Sequence, residues 1–207
     1  MAALRQGILF VIAAPSGTGK TTVARELLAR TDELEFSVSY TTRPPRDDER
    51  DGVHYHFVER SLFERMQAEG AFLECATVFG ELYGTGIERT REALATGRDL
   101  LLDIDVQGAG QVRRGPIVSV TVMILPPDFD TLRRRLRQRG SETAEQLHRR
   151  LAEAQGEARR YHEFDYVVIN EDLDRAVSEV RAIVCAERRR AARCAPEAQR
   201  ILADFPA

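Results

Sequence analysis

Lys20 is the residue from which chemistry can be read first, because it is the only lysine among the 30 Lys+Arg of the chain; every other basic side chain is an arginine. An ammonium is a compact point charge on a flexible stem, whereas a guanidinium is a wide planar fork, so a single surviving lysine marks a place where the fork does not fit. Lys20 lies in "APSGTGKTT", Ala14 to Thr22, directly after the apolar run "GILFVIAA". Ala14 to Thr21 follows the phosphate-binding pattern G-x-x-x-x-G-K-[ST], with alanine in the first position.

In that pattern Gly17 and Gly19 let successive backbone N–H groups turn toward one anion, and the following helix adds the partial positive charge of its N-terminus. Lys20 reaches the β- and γ-phosphates of a nucleotide, Thr21 offers its hydroxyl to Mg²⁺, and the rest of the loop, Ala14, Pro15, Ser16, Thr18 and Thr22, supplies backbone and small polar groups. Two more groups could do chemistry. Asp103 and Asp105 leave the run "DLLLDID" at its carboxyl end, where α/β sheets place ligands, and could order a hydrated cation, hold a substrate or cap the strand. Arg43 and Arg46 flank two prolines in "SVSYTTRPPR" and form either a preorganised pair of forks for a phosphate or a solvated loop, with the phenols of Tyr55 and Tyr83 as further donors.

These residues need a scaffold. Gly7 to Ala14, Asp99 to Asp105, Ile117 to Leu125 and Asp165 to Asn170 read as strands buried on both faces, and helical patterns lie between or after them, as at 128–139 and 172–193. That alternation predicts an α/β domain with a central parallel sheet flanked by helices. Two stretches interrupt it. Residues 36–86 read as short strands, "FSVSYTT", "VHYHFV" and "AFLECATVF", with a helix near 61–69, which makes a small mixed insertion; 128–161 is helical, rich in arginine and broken at Gly140-Ser141, which makes a mobile flap. The expected division is a core of 1–35, 87–127 and 162–207, an insertion of 36–86 and a lid of 128–161. The tail after Arg193 carries no readable signal.

A net charge of −3 gives no global case for binding a nucleic-acid polymer. Cys75, Cys185 and Cys194 form no C-x-x-C pair and leave an odd thiol under any pairing, which suits a reducing cytoplasm. The first 15 residues resemble a signal peptide, but cleavage there would cut into the glycine-rich loop, and no apolar run approaches the length of a bilayer span. A cytoplasmic protein without a membrane partner is the expectation, with its oligomeric state open.

Taken together, "APSGTGKTT", "SVSYTTRPPR", "HYHFV", "FLEC" followed by "LYGT", "LLDIDVQG", "LRQRGSET" and "DYVVIN" resemble the guanylate kinase family in order and approximate spacing, over most of the chain. The resemblance implies the P-loop NTPase fold of the nucleoside monophosphate kinases, with 36–86 as the monophosphate-binding insertion, and the reaction ATP + GMP ⇌ ADP + GDP, extending to dGMP, with Mg²⁺ accompanying ATP. It implies that Arg43, Arg46, Tyr55 and Tyr83 hold the phosphate of GMP, and that Ser39, Glu74 and Thr85 hold its guanine with Asp103 and Asp105 nearby. Arg135, Arg139 and Arg150 match the family's lid arginines, which act with Lys20 and Arg43 on the transferring group, and Asn170 falls where the family meets adenine. Two positions depart from the family pattern: Tyr40 replaces a small residue, and Glu171 stands where Asp is usual. A catalytically silent protein-binding module and a ribose-phosphate kinase of the same fold are the alternatives; the retained lysine, the Thr21 hydroxyl and both aspartates speak against the first, and Glu74 with the paired aspartates against the second.

Overall fold

Leu9–Ala13 forms strand β1, and all five of its side chains are buried because the strand has a covered face on each side. Alternate residues serve separate cores: Phe10 and Ile12 meet Val23 and Leu27 of helix α1 (Lys20–Ala29) and Val177, Val180 and Val184 of α7 (Leu173–Arg188), while Leu9, Val11 and Ala13 meet Val106, Ala109 and Val112 of α4 (Val106–Arg114). Each such aliphatic or aromatic side chain contributes about 1.5–3 kcal/mol when taken out of water, so β1 is fixed from both sides before the loop begins. This computed structural model describes residues 5–78, 80–137 and 143–206.

Around β1 the sheet is wholly parallel, in the order β2-β7-β1-β8-β9, with β2 at Leu34–Phe36, β7 at Asp99–Asp103, β8 at Ser119–Leu125 and β9 at Tyr166–Ile169. A parallel sheet places all its strand ends, and hence its ligand crevice, on one edge. At that edge β1 runs into the glycine loop and β7 into Ile104 and Asp105.

The second sheet is mixed, in the order β4-β3-β6-β5. It comprises β3 (Tyr40–Thr41), β4 (His56–Phe57), β5 (Phe72–Val78) and β6 (Glu81–Gly86), with α2 (Arg60–Ala68) packed on it through the buried Phe63, which stacks on Phe72 at 4.4 Å between ring centroids. Helix α3 (Ile87–Ala95) returns the chain to the central sheet. Helices α5 (Phe129–Arg137) and α6 (Ala144–Ala158) clamp together through Leu132, Leu136, Ala154 and the flanking Leu147 and Leu151. The start of α6 is set by a capping box, Thr143 with Gln146.

Three expectations change in detail. "FSVSYTT" is not one strand: Leu34–Phe36 joins the edge of the parallel sheet beside β7, the chain crosses over at 37–39, and only Tyr40–Thr41 enters the mixed sheet. The helix expected over 172–193 stops at Arg188, and a second helix, α8, runs over Ala191–Leu202 in the segment that carried no readable signal. Strand β6 hid behind Gly84 and Gly86, whose missing side chains make room for Phe63, Phe72 and Tyr40; a Cβ on Gly86 would stand 2.9 Å from the Tyr40 ring.

Candidate active site

The loop between β1 and α1 needs its glycines. Gly17 has φ 89 and Gly19 φ 95, both in the left-handed region, and added Cβ atoms would stand 2.7 Å from the Leu136 side chain and 2.9 Å from Asn170 Nδ2. The loop is therefore wedged between the lid helix α5 and the end of β9. Its carbonyl at Thr18 accepts from Asn170 Nδ2 at 2.7 Å and from Arg135 Nη1 at 3.1 Å, and Arg135 Nη2 donates to the Asn170 carbonyl at 3.1 Å. With the Thr18 carbonyl held on that side, the planar peptide turns the Gly19 N–H to the other. Ala14 and Pro15 are buried, Ser16 is exposed, and Thr21 and Thr22 are exposed in the first turn of α1.

Lys20 crosses from the loop to β7. Its ammonium donates to the Ile104 carbonyl at 2.6 Å and is ion-paired with Asp103. Helix α6 reaches the same loop: Arg150 Nη2 donates to Ser16 Oγ at 2.9 Å, and Glu157 Oε2 accepts the Ser16 amide at 3.3 Å. Burial, with Asp105 and Glu153 adding their charges, pushes the Glu157 carboxyl up. Arg135 and Arg150, expected at the lid, are thus both brought to the loop; Arg139 lies outside the described residues. Glu157 had no signal in the sequence, being 141 residues from the amide it meets.

In the insertion, Arg43 lies 5.5 Å from the Tyr55 ring centroid and 5.9 Å from that of Phe57, and the Tyr55 and Tyr83 rings meet edge-on at 5.8 Å. Arg43, Tyr55 and Tyr83 are therefore one cluster, in which burial keeps the Tyr55 phenol protonated and able to donate. Arg46 is exposed beside it. The residue that organises this cluster is Glu49, which the sequence reading missed. Its two oxygens accept from Arg43 Nη2 at 2.7 and 2.9 Å, and Oε2 also accepts the Arg46 amide at 2.8 Å. Hydrogen bonds from Arg43 and then from the Arg46 amide hold the Glu49 carboxyl down at about 2. The prolines of "SVSYTTRPPR" were legible as a stiffener; the carboxylate that closes the turn after them was not.

Behind Arg43 the two long strands of the mixed sheet carry Glu74 and Thr85 as register partners. Glu74 is 5% exposed and accepts from Thr85 Oγ1 at 2.8 Å, and Ser39 Oγ lies 3.5 Å from the same hydroxyl. Burial pushes the Glu74 carboxyl up. Asp105 caps α4 by accepting the Gly108 amide at 2.6 Å, and a Cβ on Gly108 would come within 3.3 Å of both Asp105 Oδ1 and Glu74 Oε2. The two carboxylates therefore share one floor. Tyr40 meets the His56 ring at a tilt and Phe72 edge-on and accepts from Arg89 Nε at 2.8 Å, so its bulk is taken up by those three side chains. Asn170 is 6% exposed and its amide nitrogen is engaged by the loop. Glu171, the other departure from the family pattern, is exposed just before the Asp172 that caps α7.

The two halves meet. Lys20 and Asp105 are both near enough to act on the charge of Glu74, and the same two residues act on Glu157 of the lid. Tyr83 lies two residues before Thr85 on β6, hence on the same face of the mixed sheet, which sets the guanidinium cluster and its phenols next along from Glu74. A phosphate loop with an ammonium, a buried carboxylate and a guanidinium cluster thus follow one another, a set of groups suited to two phosphate-bearing molecules, one of which has a base edge rich in donors.

Comparison with known proteins agrees. A family model described as guanylate kinase matches residues 6–187. The chain is 50% identical over 197 residues to the guanylate kinase of Syntrophotalea carbinolica, covering 95% of this chain and 94% of that one. It is 51% identical over 188 residues to that of Neisseria meningitidis serogroup B, covering 91% and 92%. The crystal structure of guanylate kinase from Anaplasma phagocytophilum superposes with a TM-score of 0.73 at 30% identity, over all of both chains. With the loop, the buried glutamate and the arginine cluster following one another, and with these relatives alongside, the chain belongs to the guanylate kinase family.

Proposed function

We propose that the chain phosphorylates GMP with ATP through the crevice between the parallel sheet and the insertion, with roles divided as follows. Lys20 and the loop amides of 14–22 take the β- and γ-phosphates of ATP. Arg43 and Arg46, with the phenols of Tyr55 and Tyr83, hold the phosphate of GMP. Glu74, Ser39, Thr85 and Asp105 receive guanine. The observation that carries this reading is Glu74: a buried carboxylate whose hydrogen bonds among the described residues come from Thr85 alone keeps acceptor capacity for the N1–H and exocyclic amine of guanine. Adenine has no donors there and would leave that carboxylate desolvated and unpaired, a mismatch that can discriminate by about 10⁴ or more.

An oxygen of the GMP phosphate forms the new bond to the γ-phosphorus as the bond from that phosphorus to the β,γ-bridging oxygen breaks, and ADP departs with that electron pair. The attacking oxygen is already ionised at neutral pH, so no residue has to take a proton. Catalysis then rests on positioning and on charge: Lys20, Arg135 and Arg150 beside the loop, and Arg43 on the acceptor, hold two anions face to face that would otherwise repel. Arg139, matched by the family pattern, would join them from the lid. The lid also excludes water, which competes with GMP for the same phosphorus.

The residues fit Mg²⁺: the Thr21 hydroxyl is exposed and without a partner among the described residues, and no group of three or more His, Cys, Asp and Glu there could hold a metal alone, as suits an ion held mainly by water and phosphate oxygens. When bound beside the Thr21 hydroxyl, Mg²⁺ would neutralise phosphate charge. Among the described residues no helix is long and apolar enough to cross a membrane, and a cytoplasmic setting is part of the same proposal, as are dGMP as a second acceptor and the division into core, 36–86 insertion and 128–161 lid.

Measuring ADP release with GMP, dGMP, AMP and ribose 5-phosphate as acceptors tests this reading. Turnover confined to guanine nucleotides is expected; turnover with ribose 5-phosphate, or none with any acceptor, contradicts it.

A further inference from the structure

A cavity of about 740 Å³ opens at the edge of the central sheet where the parallel strands begin, opposite the edge that carries the phosphate loop. It lies between the approach to β1 and β2, the last turn of α7 and one face of α8. Five arginines line it, Arg5, Arg188, Arg189, Arg193 and Arg200, against two carboxylates, Glu33 and Glu197. In a chain of net charge −3 this is a local concentration of cations.

Two buried acids nearby offset only part of it. Asp99, fully buried, accepts the Ile8 amide at 2.7 Å and pairs with Arg5 at 3.0 Å and Arg188 at 2.7 Å. Glu187, 2% exposed, accepts the Tyr166 hydroxyl at 2.6 Å and pairs with Arg190 at 2.7 Å and, loosely, with Arg193 at 3.5 Å. Their lone pairs are committed. Arg193 Nε is buried with no acceptor, and the side chains of Arg189 and Arg200 have no hydrogen bond or ion pair among the described residues. Three guanidiniums on two elements therefore converge with donors to spare.

We propose that this cavity binds a small molecule carrying two or more phosphate groups, held by Arg189, Arg193 and Arg200 in the field of Arg5 and Arg188. Guanidinium forks match phosphate oxygens in pairs, and the two open forks of Arg189, just past α7, and Arg200 on α8, together with the unpaired Nε of Arg193, call for more than one phosphate. The volume falls within the range of small-molecule pockets. The net negative charge of the rest of the surface disfavours an extended polyanion. Of the lining residues only Glu33 and Cys185 fall within the residues the family model matches, and the cavity lies at the opposite edge of the sheet from the phosphate loop, so the site is separate from the phosphotransfer crevice and independent of the roles given to it above.

The test fills both substrate sites with a non-hydrolysable ATP analogue, Mg²⁺ and GMP, then titrates inorganic pyrophosphate calorimetrically at roughly physiological ionic strength. One further equivalent is expected to bind the wild-type chain with micromolar affinity, and Arg189→Ala/Arg200→Ala is expected to bind at least about tenfold more weakly. Both arginines are exposed and engage nothing among the described residues, so ATP-to-GMP turnover of that variant is expected to stay normal and serves as the check on folding. No saturable uptake by the wild-type chain below millimolar pyrophosphate, or equal binding by the folded double variant, overturns the proposal.

Discussion

Lys20 and Asp103 form an ion pair across two neighbouring strands: the ammonium at the start of α1 lies against the carboxylate at the end of β7 and donates to the next carbonyl, that of Ile104, at 2.6 Å. The pair explains why the one lysine of the chain is found here. A slim stem passes between the glycine loop and the strand end, and two acceptors hold the charge beside the loop's amides before any nucleotide arrives.

Both ways of removing that arrangement should therefore fail. Lys20→Met removes the charge, and Lys20→Arg keeps it but places a planar fork where a point charge fits. We expect turnover to fall by about 10³ or more in the first and about 10² or more in the second, each equivalent to several kcal/mol of lost stabilisation of the transferring group. GMP affinity, measured by equilibrium titration, should be unchanged in both. Near-normal turnover by Lys20→Arg would show that geometry is not the reason for the lysine.

Glu74 carries a cost that function imposes on stability. Burial raises its carboxyl above the ordinary value, so the folded chain binds its proton more readily than the unfolded chain does. A raised carboxyl favours the fold at low pH and opposes it progressively as pH climbs through its elevated range. Glu74→Gln should then have a higher Tm than the wild-type chain at pH 7–8, with the difference vanishing well below about pH 4, the ordinary glutamate value. The same variant should lose most of its GMP turnover, and wild-type GMP affinity should weaken as pH falls toward the elevated range. Thermal melts across that pH series check the sign; a Tm difference that grows toward acid pH contradicts it.

Glu49 and Arg43 make the opposite case, a carboxyl held down at about 2 by the guanidinium it orients. Its contribution is present above the ordinary glutamate value and is lost only as pH falls through about 2, so the arginine cluster should be constant over the working range. Because Glu49 also accepts the Arg46 amide, Glu49→Gln should loosen both arginines and raise the KM for GMP by about tenfold with a smaller change in kcat, the pattern of weakened ground-state binding. A lower KM would mean that Glu49 competes with the phosphate for Arg43 instead of presenting it.

Asn170 holds the loop by its amide, which donates to the Thr18 carbonyl at 2.7 Å in a buried setting. Asn170→Ala should cost about 1 kcal/mol of stability, since Arg135 still donates to the same carbonyl. It should raise the KM for ATP and leave that for GMP alone. Chemical denaturation and initial rates check both; an equal rise in the two KM values would place the residue in a general structural role.

What the sequence made legible follows from distance along the chain. The strand, loop and helix of 9–29 announce themselves because a two-sided burial pattern, three small residues and a lysine are contiguous. Glu49, Glu157 and the Arg135 bridge were not legible in these roles: their partners lie on other elements or depend on how a turn closes, as Arg135 meets a carbonyl 117 positions away. The motif placed Asn170 beside a nucleotide, whereas the fold gives its amide a loop carbonyl to hold. Strand β2, three residues at a sheet edge, and α8, with Pro196 inside it, carry too weak a pattern to be read locally. Charge concentration is also invisible in totals: a chain of net −3 builds its cationic sites by folding arginines together.

The central claim is that two nucleotide phosphates are held facing one another, one by loop amides and the lone ammonium, the other by the Arg43 and Arg46 guanidiniums. The crystal structure of the chain with GMP, Mg²⁺ and a non-hydrolysable ATP analogue tests it directly. The account predicts the GMP phosphate against Arg43 and Arg46, guanine on Glu74, and Lys20 Nζ turned from Asp103 to the β- and γ-phosphates. GMP lodged away from those two arginines, or Lys20 still paired with Asp103 beside a bound triphosphate, contradicts it.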